Sequence, residues 1–108
     1  MALTRSFRGF IKARTETDPA FRQALFQEAV QTMLDGDVAT AKSVLRDYIN
    51  ATVGFEKLAA CTSTPPKSLM RMFGPKGNPT AGNLLGVIGA LQTQTGVQLQ
   101  VRAVANAA

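Results

Sequence analysis

The amino-acid sequence predicts a mainly α-helical domain that closes on one extended strand, and three observations predict it. Apolar residues recur at helical spacing over most of the chain. Each of these runs ends at a glycine, a proline or a capping side chain, and only the residues after Gly96 alternate apolar with polar. With 108 residues, 45% of them hydrophobic and 18% charged, the chain has the size and balance of one globular domain. Its parts read as a helical front over residues 1–53, a second helical core over 54–95, a strand over 96–102 and a frayed alanine-rich tail over 103–108.

In the first helix Leu3, Phe7, Phe10, Ile11 and Arg14 form one stripe, with Arg5, Arg8 and Lys12 on other faces. Asp18-Pro19 ends it and starts the next, because proline disfavours helical geometry in the residue before it but fits the first helical position, which leaves Asp18 as the N-cap. The second helix carries Phe21, Ala24, Leu25, Ala29, Val30, Met33 and Leu34 and stops at Asp35-Gly36. Asp37 caps a third, with Val38, Ala41, Leu45, Tyr48 and Ile49 at a helical step before Gly54. A two-turn helix follows with Phe55, Leu58 and Ala59. After a Thr62-Ser63-Thr64 connector comes a second short helix from Pro65 to Phe73, capped by Thr64, with Leu69, Met72 and Phe73 inward. Gly74-Pro75-Lys76-Gly77-Asn78-Pro79 is too rich in breakers to be helical. Thr80 then caps a last helix holding Leu84, Leu85, Val87, Ile88 and Leu91, which Thr95-Gly96 terminates. Val97, Leu99 and Val101 alternate with Gln98, Gln100 and Arg102, the pattern of a half-buried strand. A strand without a partner in its own chain calls for another edge, and antiparallel pairing of two copies through Val97, Leu99 and Val101 is the simplest one.

Composition excludes several function classes. The sequence has no histidine and one cysteine, Cys61, so it can form neither an internal disulfide framework nor a cysteine-histidine zinc site, and it lacks the commonest general base. No metal or other cofactor is expected, and no catalytic residue. Cys61, between small residues, reads as a packed thiol; Asp47 and Glu56 read as surface charges, and the phenylalanines Phe7, Phe10, Phe21 and Phe26 as core. The longest apolar run, Leu84 to Leu91, is far short of the roughly 20 residues that span a bilayer. With no basic-then-apolar leader at the start, the expected compartment is the cytoplasm.

The charge is one-sided. All seven acids lie at or before Glu56, whereas Lys57, Lys67, Arg71, Lys76 and Arg102 face no acid in the second half, which therefore carries the net +5. Such a field suits a polyanion, with a solubility role as the competing reading. Two short helices joined by a three-residue connector make a helix-turn-helix, whose second helix enters the DNA major groove. On that helix Pro66, Lys67, Ser68 and Arg71 are left for solvent or a ligand, and Lys67 and Arg71 share one face. Arginine suits bidentate contact with guanine, and lysine and serine reach base edges or phosphates. Lys57 and Lys76 are candidates for phosphate, and Lys76-Gly77-Asn78-Pro79-Thr80 places a lysine and a hydroxyl cap before a helix N-terminus. A solvated basic face and an ordinary interhelical turn are the competing readings of these two features.

Gly54-Phe55-Glu56-Lys57-Leu58-Ala59-Ala60, Ser68-Leu69-x-Arg71-Met72-Phe73, Pro75-Lys76-Gly77-Asn78-Pro79-Thr80 and the run Leu84 to Leu91 together resemble the Xre/Cro-type helix-turn-helix of addiction-module antidote (antitoxin) proteins. The resemblance covers roughly residues 46 to 101. It implies a lambda-repressor-like helix-turn-helix domain in a dimeric bacterial regulator that binds a palindromic operator at its own promoter. In complete modules such a protein also neutralises a toxin encoded beside it. It further implies that Thr64, Pro66, Lys67, Ser68 and Arg71 meet bases and that Asn78 and Thr80 meet phosphate. The sequence departs from the pattern at Ser63, where relatives often have glycine, and at Thr64-Pro65-Pro66, so the operator sequence does not transfer. The expected function is a DNA-binding, autorepressing antitoxin whose partners are double-stranded operator DNA, a second copy and a toxin, with no membrane. The alternative is an interaction module that sequesters a partner such as a toxin without specific DNA binding.

Overall fold

A computed structural model of the protein describes residues 5–106. Leu3 and the side chains of Phe7 and Ile11, with those of Arg5, Arg8 and Lys12, lie outside the described residues, as do Ala107 and Ala108 of the tail. The described chain is mainly helical, with six helices: α1 (Arg5–Thr17), α2 (Pro19–Leu34), α3 (Val38–Ala51), α4 (Phe55–Thr62), α5 (Pro66–Met72) and α6 (Ala81–Thr95).

The first three helices meet at capped corners. Asp18 accepts from the Phe21 amide at 3.1 Å with Pro19 in the first turn of α2, and Arg14 holds the other carboxylate oxygen at 3.4 Å. The same Arg14 guanidinium lies 5.0 Å from the centre of the Phe21 ring, and Arg22 reaches back to the Thr15 carbonyl at 2.8 Å, so α1 and α2 are tied from both sides. Between α2 and α3 the chain turns at Gly36, whose φ of +92° is left-handed, and Asp37 then accepts from the Thr40 amide. The helices α2 and α3 pack along one another, with Phe26 and Tyr48 stacked at 4.7 Å between ring centres. α1 lies against both.

Gly54, at φ +83°, turns the chain from α3 into α4 and donates to the Ile49 carbonyl at 2.7 Å. Phe55 meets Phe73 beyond α5 at 6.3 Å, and Leu58, Leu69, Val87, Ile88 and Leu91 close the second half. These side chains and those of Phe26, Leu45, Tyr48 and Ile49 belong to one continuous cluster, so the two halves share a core.

Three expectations are corrected, and the strand expected to pair across two copies over residues 96–102 is not formed in the single chain; no strand occurs among the described residues. A lone extended segment has no edge to pair with. Two of its amides are held by Gln92 alone: Gly96 donates to the Gln92 carbonyl at 3.0 Å and Leu99 to the Gln92 side-chain oxygen at 2.8 Å. Val97 and Leu99 lean on the core while Val101 is 92% exposed. The first correction is that α5 begins at Pro66 and not at Pro65, because Pro66 holds Pro65 in an extended conformation (φ −58°, ψ 142°). Thr64 therefore caps nothing; its hydroxyl donates to the Thr62 carbonyl. Secondly, Cys61 is exposed, on the solvent side of the last turn of α4. Lastly, Phe10 and Leu85 are largely exposed although their spacing placed them inward.

Candidate nucleic-acid interface

Helix α5 is held by its apolar side. Leu69 is fully buried, Phe73 nearly so and Met72 half-buried, and this anchoring leaves Lys67 and Arg71 at the surface one turn apart. At that spacing their Cβ atoms stand about 5–6 Å from each other. Met70, half exposed, shares the outer surface, while Pro66 and Ser68 are half-buried. The turn before α5 depends on Ser63, which adopts a left-handed conformation (φ 53°, ψ 36°) as the C-cap of α4. The preceding helix ends on the Thr64 amide, which donates to the Ala59 carbonyl.

The loop after α5 carries Lys76, Asn78 and Thr80, all exposed. Thr80 caps α6, its hydroxyl oxygen accepting from the Asn83 amide at 3.1 Å, which leaves the hydroxyl proton available to an acceptor. Two features fix this loop. A Cβ added at Gly77 would run into the carbonyl oxygens of Arg71 and Met72, so only glycine permits the chain to lie against the end of α5. Lys42 of α3, buried to 7% exposure, donates to the carbonyls of Gly74 at 3.0 Å and Gly77 at 2.6 Å. In the sequence Lys42 reads as one of several cations balancing the acids of the front half. Its role escaped sequence reasoning because its two acceptors lie 32 and 35 residues away. The only local sign is its place beside the buried position Ala41, on the inner edge of the α3 stripe.

No acid pairs with Lys67, Arg71 or Lys76 among the described residues. The structure places Lys57 differently. It lines an open hollow of about 430 Å³ with Glu16, Arg22, Thr52 and Gln94, and no residue of α5 borders that hollow. The α5 face and the loop are therefore carried by Lys67, Arg71, Lys76, Asn78 and Thr80, with Thr64 turned into its own connector. A second groove, of about 490 Å³, runs between α2 and the extended segment after Gly96; Val30, Leu34, Val97, Leu99, Val101 and Val104 provide its apolar lining.

No group of histidine, cysteine, aspartate and glutamate that could hold a metal occurs among the described residues. None of the described helices is long and apolar enough to cross a membrane. Compared with protein-family models, curated proteins and solved structures, the chain matches none.

Proposed function

We propose that the protein is a DNA-binding transcriptional regulator of the helix-turn-helix kind, acting in the cytoplasm as the autorepressing antitoxin of a toxin–antitoxin module. The observation that carries this reading is the pair Lys67 and Arg71, exposed one turn apart on a short helix that is anchored by Leu69 and Phe73 and faces no acid. A helix so held offers a guanidinium and an ammonium in fixed relation to one another, which is what base and phosphate contacts in a major groove require. α4 with the Ser63 turn supports α5 as the first helix of such a motif supports the second. Lys76, Asn78 and Thr80 then meet the phosphates beside it. The extended segment Val97 to Arg102 pairs with the same segment of a second copy, its exposed alternate residues providing the edge and Val101 an apolar contact. Toxin binding, carried by the family resemblance, falls to the front helices.

The groove between α2 and residues 96–104 favours a second reading, a module that sequesters a protein partner without specific DNA contact. Fluorescence anisotropy separates the two. The protein is titrated onto the DNA upstream of its own gene and onto a shuffled duplex, at two salt concentrations, alongside Lys67→Ala/Arg71→Ala. Sequence-preferring binding that weakens with salt and is lost in the double variant supports the regulator. Equal, weak binding of both duplexes by wild type and variant overturns it and makes the product of the neighbouring gene the ligand to test.

A further inference from the structure

Lys42 is the most deeply buried cation among the described residues, and it belongs to none of the surfaces discussed so far. Its ammonium bridges two carbonyls of one loop, those of Gly74 and Gly77. That loop is short of internal bonds. Gly77 donates to the Gly74 carbonyl at 3.0 Å, Pro75 and Pro79 have no amide proton to give, and Lys76 and Asn78 face solvent. Gly77 lies against the carbonyls of Arg71 and Met72 at the end of α5, while its own carbonyl and that of Gly74 are both taken by the Lys42 ammonium, a charge-assisted pair of bonds. The donor comes from α3, in the other half of the chain.

We infer that Lys42 is a positioning residue for the DNA-facing loop: by clamping the Gly74 and Gly77 carbonyls it holds Lys76, Asn78 and Thr80 in one fixed relation to α5, and so ties phosphate contact to the packing of α3. This inference rests on reading the α5 face and its loop as the DNA interface. The burial of Lys42 sets it apart from Lys76, because a lysine enclosed in this way touches no phosphate and acts on DNA only through the loop.

The test compares full-length wild type with Lys42→Met, which keeps most of the apolar stem and removes the donor, with Lys42→Arg, and with Lys76→Ala. Two readouts are taken: amide hydrogen exchange at Gly77, and anisotropy on a mixed-sequence duplex over a salt series. Lys42→Met is expected to retain its helical circular dichroism, to lose protection at Gly77 and to bind DNA about ten-fold more weakly, with a shallower salt dependence as phosphate contacts are lost at about 0.9 in log-log slope each. Lys76→Ala is expected to lower the slope by about one such step and to leave Gly77 protected. Unchanged protection and unchanged affinity in Lys42→Met would overturn the inference. So would global unfolding of both Lys42 variants, since Lys42 would then support the whole fold and not this loop. If wild type itself binds no duplex, the DNA reading fails on its own account, while protection at Gly77 still decides whether Lys42 orders the loop.

Discussion

Ser63 is the only residue other than glycine with a positive φ among the described residues. A side chain in the left-handed region costs roughly 1–2 kcal/mol, which glycine avoids at the expense of a freer unfolded chain. Ser63→Gly should therefore raise stability by about 0.5–1 kcal/mol, read as a higher midpoint in urea at unchanged slope. Gly77 presents the opposite case, a glycine required by space and not by φ. Its replacement by alanine pushes a methyl into backbone carbonyls that cannot yield without moving α5, so Gly77→Ala should destabilise by about 2 kcal/mol or more. Tyr48 is fully buried, its ring stacked on Phe26. Its hydroxyl makes no well-formed hydrogen bond among the described residues; the neighbouring Thr95 hydroxyl already donates to the Leu91 carbonyl at 2.7 Å. Burial raises the pKa of this phenol, so the folded state keeps a proton that the unfolded chain gives up. The associated stability is present below the ordinary tyrosine value of about 10 and is lost as the pH rises above it. Tyr48→Phe should remove that alkaline loss and leave stability at neutral pH unchanged or higher by about 1 kcal/mol, as expected when an unpaired buried hydroxyl is removed.

At the scale of elements, the caps were legible because they act over three or four residues. Asp18, Asp37 and Thr80 are each followed by helical periodicity, and each accepts the amide that its position predicts. The Asp18 carboxyl is held below the usual aspartate range chiefly by the Phe21 amide, with Arg14 assisting against the effect of desolvation. A lowered pKa means that this cap's stabilisation is present above the unfolded value of about 3.9 and is lost as the pH falls through the folded one. An acid titration of the helical signal should show this loss, and Asp18→Asn, which still accepts from the Phe21 amide, should flatten that part of the curve. The start of α5 lies one residue later than a single capping rule predicts, because the second of two consecutive prolines keeps the first extended. The exposure of Leu85 and Phe10 shows the same limit: helical spacing sets which residues share a face but does not say how wide a face the neighbouring helices cover.

At the scale of the whole molecule, the proposed pairing of two copies through the segment after Gly96 can be tested directly. Val101 contributes nothing to the core, so Val101→Lys should leave the unfolding curve of a dilute sample unchanged. If two copies pair along this edge, sedimentation velocity over a concentration series should show the wild type dimerising and the variant remaining a monomer to higher concentration. The same titration should tighten DNA binding in the wild type alone, because a palindromic operator rewards two linked copies.

What the sequence by itself determined is everything governed by local chemistry: a mainly helical chain, the corners at Asp18-Pro19, Asp35-Gly36 and Gly96, and the exposure of Lys67 and Arg71, which follows from Leu69 and Phe73 taking the inner side of α5. Tertiary structure decided what depends on contacts between residues distant along the chain. It buried Lys42 against a loop more than thirty residues away, pressed Gly77 onto the end of α5, turned Lys57 toward α1 and α2, and left the segment after Gly96 extended without a strand partner. The physical reason is the range of the forces involved. Caps, turns and helical periods are written within four residues, whereas a buried cation or a strand edge is defined only by the acceptors that the finished fold brings to it.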